Sequence, residues 1–350
     1  MKELLTRYQA ATLAAFQQQR AGETRLGETL LLADPTLPLA DALRLAKAAG
    51  ALYVLLGIAE DIGPRANLGN GGADLGFQAF LKRFLNLQAN EFIDGGQILL
   101  LGEIKVADLQ QQSVGLQANN NEDLAQLRQL CATVDERATP VLQAIFNAGL
   151  IPLLIGGGHN NAFPLLKALS QSAGCSVNAV NLDPHCDFRL LEGRHSGNGF
   201  SYASAKGYLN RYFVLGLHEL KNSRASLAQL QNAGAGFCSY QQIYLHQECS
   251  FPEAVAKAIQ FVSSKAQPLG IELDTDSISM MPVSAFTNCG VSVREAELYV
   301  YQLAKLPQSR YLHLAEAAPA QHPAGLAAGM SEAGQVLTAL VLAFIQARNK

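Results

Sequence analysis

The chain has 350 residues, 49% of them hydrophobic and only 16% charged, which gives it enough apolar material for a large buried core and argues against a disordered chain. A net charge of −3 with no basic block lacks the electrostatic footprint of a nucleic-acid binder, so the expected partner is a small molecule. Six cysteines without a CxxC pair, in a chain too large to need disulfide staples, read as reduced thiols of a cytoplasmic protein.

Taken in chain order, "MKELLTRYQAATLAAFQQQR" is polar and helix-like and lacks the pattern of a secretory leader, and residues 1–50 are expected to form a helical segment packed on the main domain. Short apolar runs follow: "ALYVLLGI" (51–58), "QILLLG" (97–102), "IPLLIGG" (151–157), "VNAVNLD" (177–183), "RYFVLGL" (211–217), "PLGIELD" (268–274) and "RYLHLAE" (310–316). Helical stretches separate them, notably 122–148 with Glu122 and Asp123 in its first turn, 252–265, and a last segment 331–350 with Ser331 as its cap. Strands alternating with helices predict a mostly parallel sheet covered on both faces, a three-layer α/β/α sandwich forming one domain over 1–350. No uninterrupted apolar run approaches the roughly 20 residues needed to span a bilayer, and no membrane association is expected. The glycine-rich stretch 59–76 lacks the lysine and spacing of a phosphate loop and reads as a structured surface loop near the site.

In an open parallel sheet, ligands bind beyond the carboxyl ends of the strands. Three of these strands end in metal-type donors: His159 after "IPLLIGGG", Asp183, His185 and Asp187 in "NLDPHCDFR", and Asp274 and Asp276 in "ELDTD". On an extended backbone, residues two apart project to the same side, so each set is expected to converge and Cys186 to point away into packing. One Asp-x-Asp alone is usually a turn or a cap, but three such sets at strand ends are far harder to dismiss. A donor set dominated by carboxylates with two imidazoles suits Mn²⁺ or a similar divalent ion better than zinc. Clustered carboxylates repel one another, and two cations about 3.5–4 Å apart resolve that repulsion and can activate water for hydrolysis.

These residues resemble the ureohydrolase family of arginase, agmatinase and formimidoylglutamase. "GGGHN", "DPHCD" and "DTD" look like its Gly-Gly-x-His, Asp-Ala-His-x-Asp and Asp-x-Asp motifs, and the resemblance runs from about 55–73 to "LAEAAP" at 314–319. It implies an arginase-like fold, two Mn²⁺ ions per subunit and a homo-oligomer. It further implies that His159 and Asp187 hold one ion, His185 and Asp276 the other, and that Asp183 and Asp274 bridge both. A bridging hydroxide would then attack a guanidine or amidine carbon, with Asp187 shuttling the proton and Glu316 pairing with the substrate cation.

Within the family, Gly158, Arg189 and Phe200 resemble formimidoylglutamases. Arg189 stands where arginases place a small amino-acid-binding residue, and its fork would match a substrate carboxylate. Ser196 and Asn198 in "HSGNGFSYA" and Arg294 in "MPVSAFTNCGVSVREA" are the other candidate substrate residues. Pro184, Asn160 and the "AEAAP" sequence depart from the family's patterns. The expected activity is hydrolysis of N-formimidoyl-L-glutamate to L-glutamate and formamide in histidine breakdown. The alternatives are a guanidine hydrolase releasing urea, for which a proton-shuttling histidine in 195–203 would speak, and a catalytically silent relative acting as a regulatory subunit. A nucleotide-binding protein built on the glycine-rich loops ranks last.

Overall fold

The apolar runs become strands buried on both faces, which is why they show no polar alternation. The computed structural model describes residues 4–18, 20–263 and 267–348. Among these, one sheet contains β1 (Leu5–Arg7), β2 (Leu31–Leu32), β3 (Tyr53–Gly57), β4 (Ile98–Ile104), β5 (Ile151–Ile155), β6 (Val177–Leu182), β7 (Leu209–Leu217), β8 (Gly236–Ser239), β9 (Leu269–Asp274) and β10 (Ser309–Ala315). The helices are α1 (Ala10–Ala14), α2 (Leu39–Ala48), α3 (Ile62–Ala66), α4 (Gly76–Phe84), α5 (Ala107–Ser113), α6 (Asn121–Asn147), α7 (Ala162–Ala173), α8 (Gly199–Ala205), α9 (Arg224–Asn232), α10 (Phe251–Ser263), α11 (Val293–Ala304) and α12 (Leu326–Arg348).

The strand order is β1-β4-β3-β5-β10-β9-β6-β7-β8, with β2 also paired to β4. Every pairing is parallel except β1 with β4. Alternate residues feed two cores. Tyr53, Leu55, Ile98 and Leu100 face α4, α10, α11 and α12, while Val54, Leu56, Leu99 and Leu101 face α2, α6, α7 and α8. Each fully buried aliphatic chain contributes on the order of 1.5–3 kcal/mol, so both layers are firmly attached. This is the three-layer α/β/α sandwich around a mostly parallel sheet that the sequence predicts.

Several boundaries differ from expectation. The N-terminal fifty residues are mixed rather than helical: β1 pairs antiparallel with β4 from Leu5 opposite Ile104, and only α1 and α2 are α-helical. Residues 1–3 of that expected segment lie outside the described residues. Helix α6 begins where expected, because the Asn120 side chain accepts from the backbone N–H groups of Glu122 and Asp123 at 2.8 and 3.2 Å. The last two positions of the helix expected at 252–265 lie outside the described residues. Ser331 is not a cap: the helix-compatible run from Leu326 to Met330 starts α12 five residues earlier, and residues 349–350 of the expected segment are outside the description. By length and composition α12 is apolar enough to cross a membrane, yet its apolar residues pack against α4 and α11. The stretch 59–76 contains α3 and so is more regular than its glycines suggest.

Four adjacent central strands, β5, β10, β9 and β6, bring their carboxyl ends side by side. At or beyond those ends stand His159, Glu316, Asp274 with Asp276, and Asp183 with His185 and Asp187. Parallel topology therefore brings together residues as far apart in the chain as His159 and Glu316, 157 positions.

Candidate metal centre

The turn after β5 is shaped by glycine. Gly156 and Gly157 have φ of +88° and +72°, and a Cβ on Gly158 would stand 2.3 Å from Pro64 Cδ. The buried carboxylate of Glu60 anchors this turn, accepting from Gly158 N–H at 2.8 Å and from the Asn161 side chain at 2.9 Å. His159 is delivered fully buried beneath the strand ends.

After β6 and β9 the donors converge by a route other than strand alternation. Asp183 Oδ1 accepts the backbone N–H of His185 at 2.6 Å, and Asp274 Oδ1 accepts that of Asp276 at 2.9 Å. Both pairs are thus built on tight side-chain-to-backbone turns beyond the strands. Asp187 then adopts a left-handed backbone with φ of +46°, and Glu316 does the same at +67°. Strain of about 1–3 kcal/mol each at non-glycine residues is characteristic of functional sites. Cys186 does point away, into the α6–α8 core.

His159 Nδ1 lies 2.9 Å from Asp187 Oδ2, 3.3 Å from Asp183 Oδ2 and 3.4 Å from Asp274 Oδ2. His185 Nδ1 lies 3.1 Å from Asp276 Oδ2 and 3.5 Å from Asp183 Oδ1. The six strand-end donors therefore form two groups, His159–Asp183–Asp187–Asp274 and Asp183–His185–Asp276, each within 4.8 Å, and His159 belongs to a third with Glu272 and His313. Asp183 belongs to both, whereas Asp274 sits in the first alone.

The residues fit a pair of hard divalent cations. Buried His159 Nδ1, Asp187 Oδ2 and Asp276 Oδ1 have no hydrogen-bond partner, although they lie at the centre of a polar cluster. Their contacts are close enough for ion pairing but lack hydrogen-bond alignment, as expected of donors aimed at a common cation. Electrostatics agree. Burial alone would lower the pKa of both imidazoles, but the surrounding carboxylates push His159 and His185 well above the ordinary histidine range. Burial and the neighbouring charges of Asp276 and Asp183 push Asp274 well up. The cluster demands positive charge.

Glu316 closes one side. Its Oε1 accepts the His159 backbone N–H at 2.9 Å, and burial, then the charges of Asp276 and Asp187, raise its pKa to about 8. It lines a chamber of about 220 Å³ together with His185, Asp187, Asp274, Asp276 and Ser196. Ser196 Oγ accepts from Asn67 Nδ2 at 3.3 Å, and Arg189 Nη1 donates to Asn67 Oδ1 at 2.6 Å from a second, adjoining chamber.

Two sequence candidates are not brought to either chamber. Asn198 is fully buried, its Oδ1 accepting from Arg194 and from His195 N–H and its Nδ2 donating to Leu190 and Gly193 carbonyls, so its amide is committed to shaping the loop. Arg294 is exposed in the first turn of α11 and lines neither chamber.

Sequence reasoning missed a buried carboxylate behind His159. Glu272 in β9 accepts from Tyr311 OH at 2.6 Å, contacts His313 Nδ1 at 2.6 Å, and lies 3.4 Å from His159 Nε2. Its signal was a charge in the middle of an apolar strand, and parallel pairing places it directly opposite His313.

Known proteins share this fold. The curated formimidoylglutamase of Chromobacterium violaceum is 28% identical over 257 residues, 72% of this chain and 75% of that one. Among solved structures, formimidoylglutamase from Bacillus subtilis superposes with a TM-score of 0.73 at 14% identity, covering 95% of this chain and 94% of its own. Formiminoglutamase from Trypanosoma cruzi, solved with Mn²⁺, gives 0.68 at 19% identity over 92% and 98%. The profile described as the arginase family matches residues 51–341, and with that span, the fold and the strand-end donors together, the chain belongs to the arginase family.

Proposed function

We propose that this protein hydrolyses N-formimidoyl-L-glutamate to L-glutamate and formamide, with two Mn²⁺ ions held by His159, Asp183, Asp187 and Asp274 on one side and by Asp183, His185 and Asp276 on the other. The observation that carries the chemistry is the pair of donor groups sharing Asp183 at the floor of a chamber walled by Glu316. The formimidoylglutamase relatives and the Mn²⁺ bound by the Trypanosoma enzyme support the choice of substrate and metal. Reduced thiols at all six cysteines are consistent with the cytoplasmic location that is part of this reading, and a homo-oligomer follows from the family resemblance alone.

Two Mn²⁺ ions bound there would supply Lewis acidity and a nucleophilic water at neutral pH. The side chains supply the rest. Glu316 has one oxygen anchored to the His159 backbone, so the other can face the substrate's amidinium and fix its carbon over the donor groups. Asp187 Oδ2, buried and without a hydrogen-bond partner, can take a proton from the attacking water and return it to the departing α-nitrogen of glutamate. Burial and the charge of Asp183 raise the Asp187 pKa to about 6 when no cation offsets them. The carbon–nitrogen bond to glutamate breaks as the carbon–oxygen bond of formamide forms.

The guanidine-hydrolase alternative calls for a histidine in 195–203 facing the substrate. Phe200 is fully buried against His159 at 5.3 Å between ring centroids, and His195 is buried with its Nδ1 accepting Gly197 N–H at 3.2 Å. Neither offers a proton to the chamber.

Purified protein loaded with Mn²⁺ is expected to release formamide from N-formimidoyl-L-glutamate and no urea from arginine or agmatine. Turnover of arginine or agmatine in its place sinks the substrate assignment. Glu316→Gln removes one charge-assisted contact with the amidinium, so kcat/KM should fall about 10- to 100-fold, the effect of about 1.5–3 kcal/mol. Full activity in that variant would show that the amidinium is held elsewhere. Glu272→Gln leaves His159 without the carboxylate behind its Nε2, and Mn²⁺ affinity measured calorimetrically should weaken about 10- to 100-fold.

A further inference from the structure

The second chamber, of about 340 Å³, adjoins the metal chamber and shares Asn67, His185 and Asp187 with it. Its charged lining is unbalanced. Arg189 and Lys221 both line it, and the carboxylate present, Asp187, is committed to the donor cluster. Among the described residues neither cation lies within ion-pair distance of a carboxylate, and the Arg189 guanidinium bonds only the neutral side chain of Asn67.

The backbone at Lys221 is held in place by its neighbour. Asn222 Nδ2 donates to the carbonyls of Pro184 and His218, both at 2.9 Å, and its Oδ1 accepts Cys186 N–H at 2.8 Å. The turn after β7 is thereby fastened on either side of His185, and Lys221 N–H closes the same turn on the His218 carbonyl at 3.1 Å. The Lys221 backbone is therefore anchored beside the metal chamber, while its exposed side chain lines the second chamber with no carboxylate among the described residues at ion-pair distance.

We propose that Lys221 recognises the side-chain carboxylate of the substrate while Arg189 takes the α-carboxylate. The inference rests on the formimidoylglutamate reading. In that molecule the α-carboxylate is bonded to the carbon bearing the amidine nitrogen, which suits Arg189, two residues beyond Asp187. The side-chain carboxylate lies two methylenes further out, which suits a second cation in the same chamber. Lys221 acts as a point charge and accepts a carboxylate in several orientations, as a flexible chain end requires.

The test compares N-formimidoyl-L-glutamate with N-formimidoyl-L-glutamine, in which a neutral amide replaces the side-chain carboxylate. The wild-type protein with Mn²⁺ is expected to prefer the glutamate derivative about 10- to 100-fold in kcat/KM, mostly through KM. In Lys221→Ala the preference should collapse towards one, and in Lys221→Arg it should largely return. A preference that survives Lys221→Ala, with or without a general loss of activity, overturns the assignment. Wild-type protein that hydrolyses neither amidine overturns the reading of the metal site itself, and the role of Lys221 with it.

Discussion

Asp183→Ala is expected to fold, to lose at least one of its two Mn²⁺ ions per subunit, and to release formamide about 10³-fold more slowly or not at all, since a metal's stabilisation of the transition state amounts to several kcal/mol. The size of the effect follows from position. Asp183 is the carboxylate common to both donor groups, with Oδ2 facing His159 and Oδ1 facing His185. It also accepts the His185 backbone N–H at 2.6 Å and is steadied by Asn181 Nδ2 at 2.9 Å, so its removal loosens the turn that presents His185. Asp183→Asn separates these contributions: the amide oxygen can keep the turn while the charge is lost. Metal content by elemental analysis, read beside formamide release, distinguishes the two. An Asp183→Ala protein that keeps two ions and its turnover would remove Asp183 from the site.

The donors were legible in the sequence because charge is expensive beside an apolar strand: Asp274 ends β9, Asp183 follows β6 directly, and His159 follows β5 after three glycines. Strand alternation accounts for only part of their convergence. Alternation requires extended backbone, but the chain has left β6 by Asp183, and Asx-type turns and the left-handed Asp187 do the aiming. Substrate residues were harder to read, since spacing along a loop does not say which way a side chain faces. Arg189 and Ser196 reach the chambers, whereas Asn198, in the same loop, turns inward to the Arg194 guanidinium. Glu272 and His313 become partners only once β9 and β10 are known to be neighbours, and strand order is a tertiary property that periodicity does not carry. The same holds for β1, three residues whose pairing with β4 no local pattern announces.

The second large effect concerns stability. Arg194→Ala is expected to destabilise the fold by about 3–5 kcal/mol, because it leaves a buried carboxylate without its counter-ion. Arg194 Nε donates to Asp135 Oδ2 of α6 at 2.7 Å, and both side chains are only 6% exposed. The guanidinium also donates to the Asn160 carbonyl at 2.9 Å and to Asn198, and it lies 4.9 Å from the ring centroids of both Phe163 and Tyr202. One side chain thus joins α6, α7, the loop bearing Ser196 and the residue next to His159. Lysine cannot replace it, since a point charge lacks the planar fork that serves these partners together. The free energy is read from urea denaturation of the metal-free proteins, so that lost Mn²⁺ affinity does not enter the comparison. Removing both charges in Asp135→Leu with Arg194→Met should recover much of the loss, since a buried pair replaced by apolar chains of similar volume is often near neutral. If Arg194→Ala alone stays within about 1 kcal/mol of the wild type, the pair is not buried in the way its geometry implies.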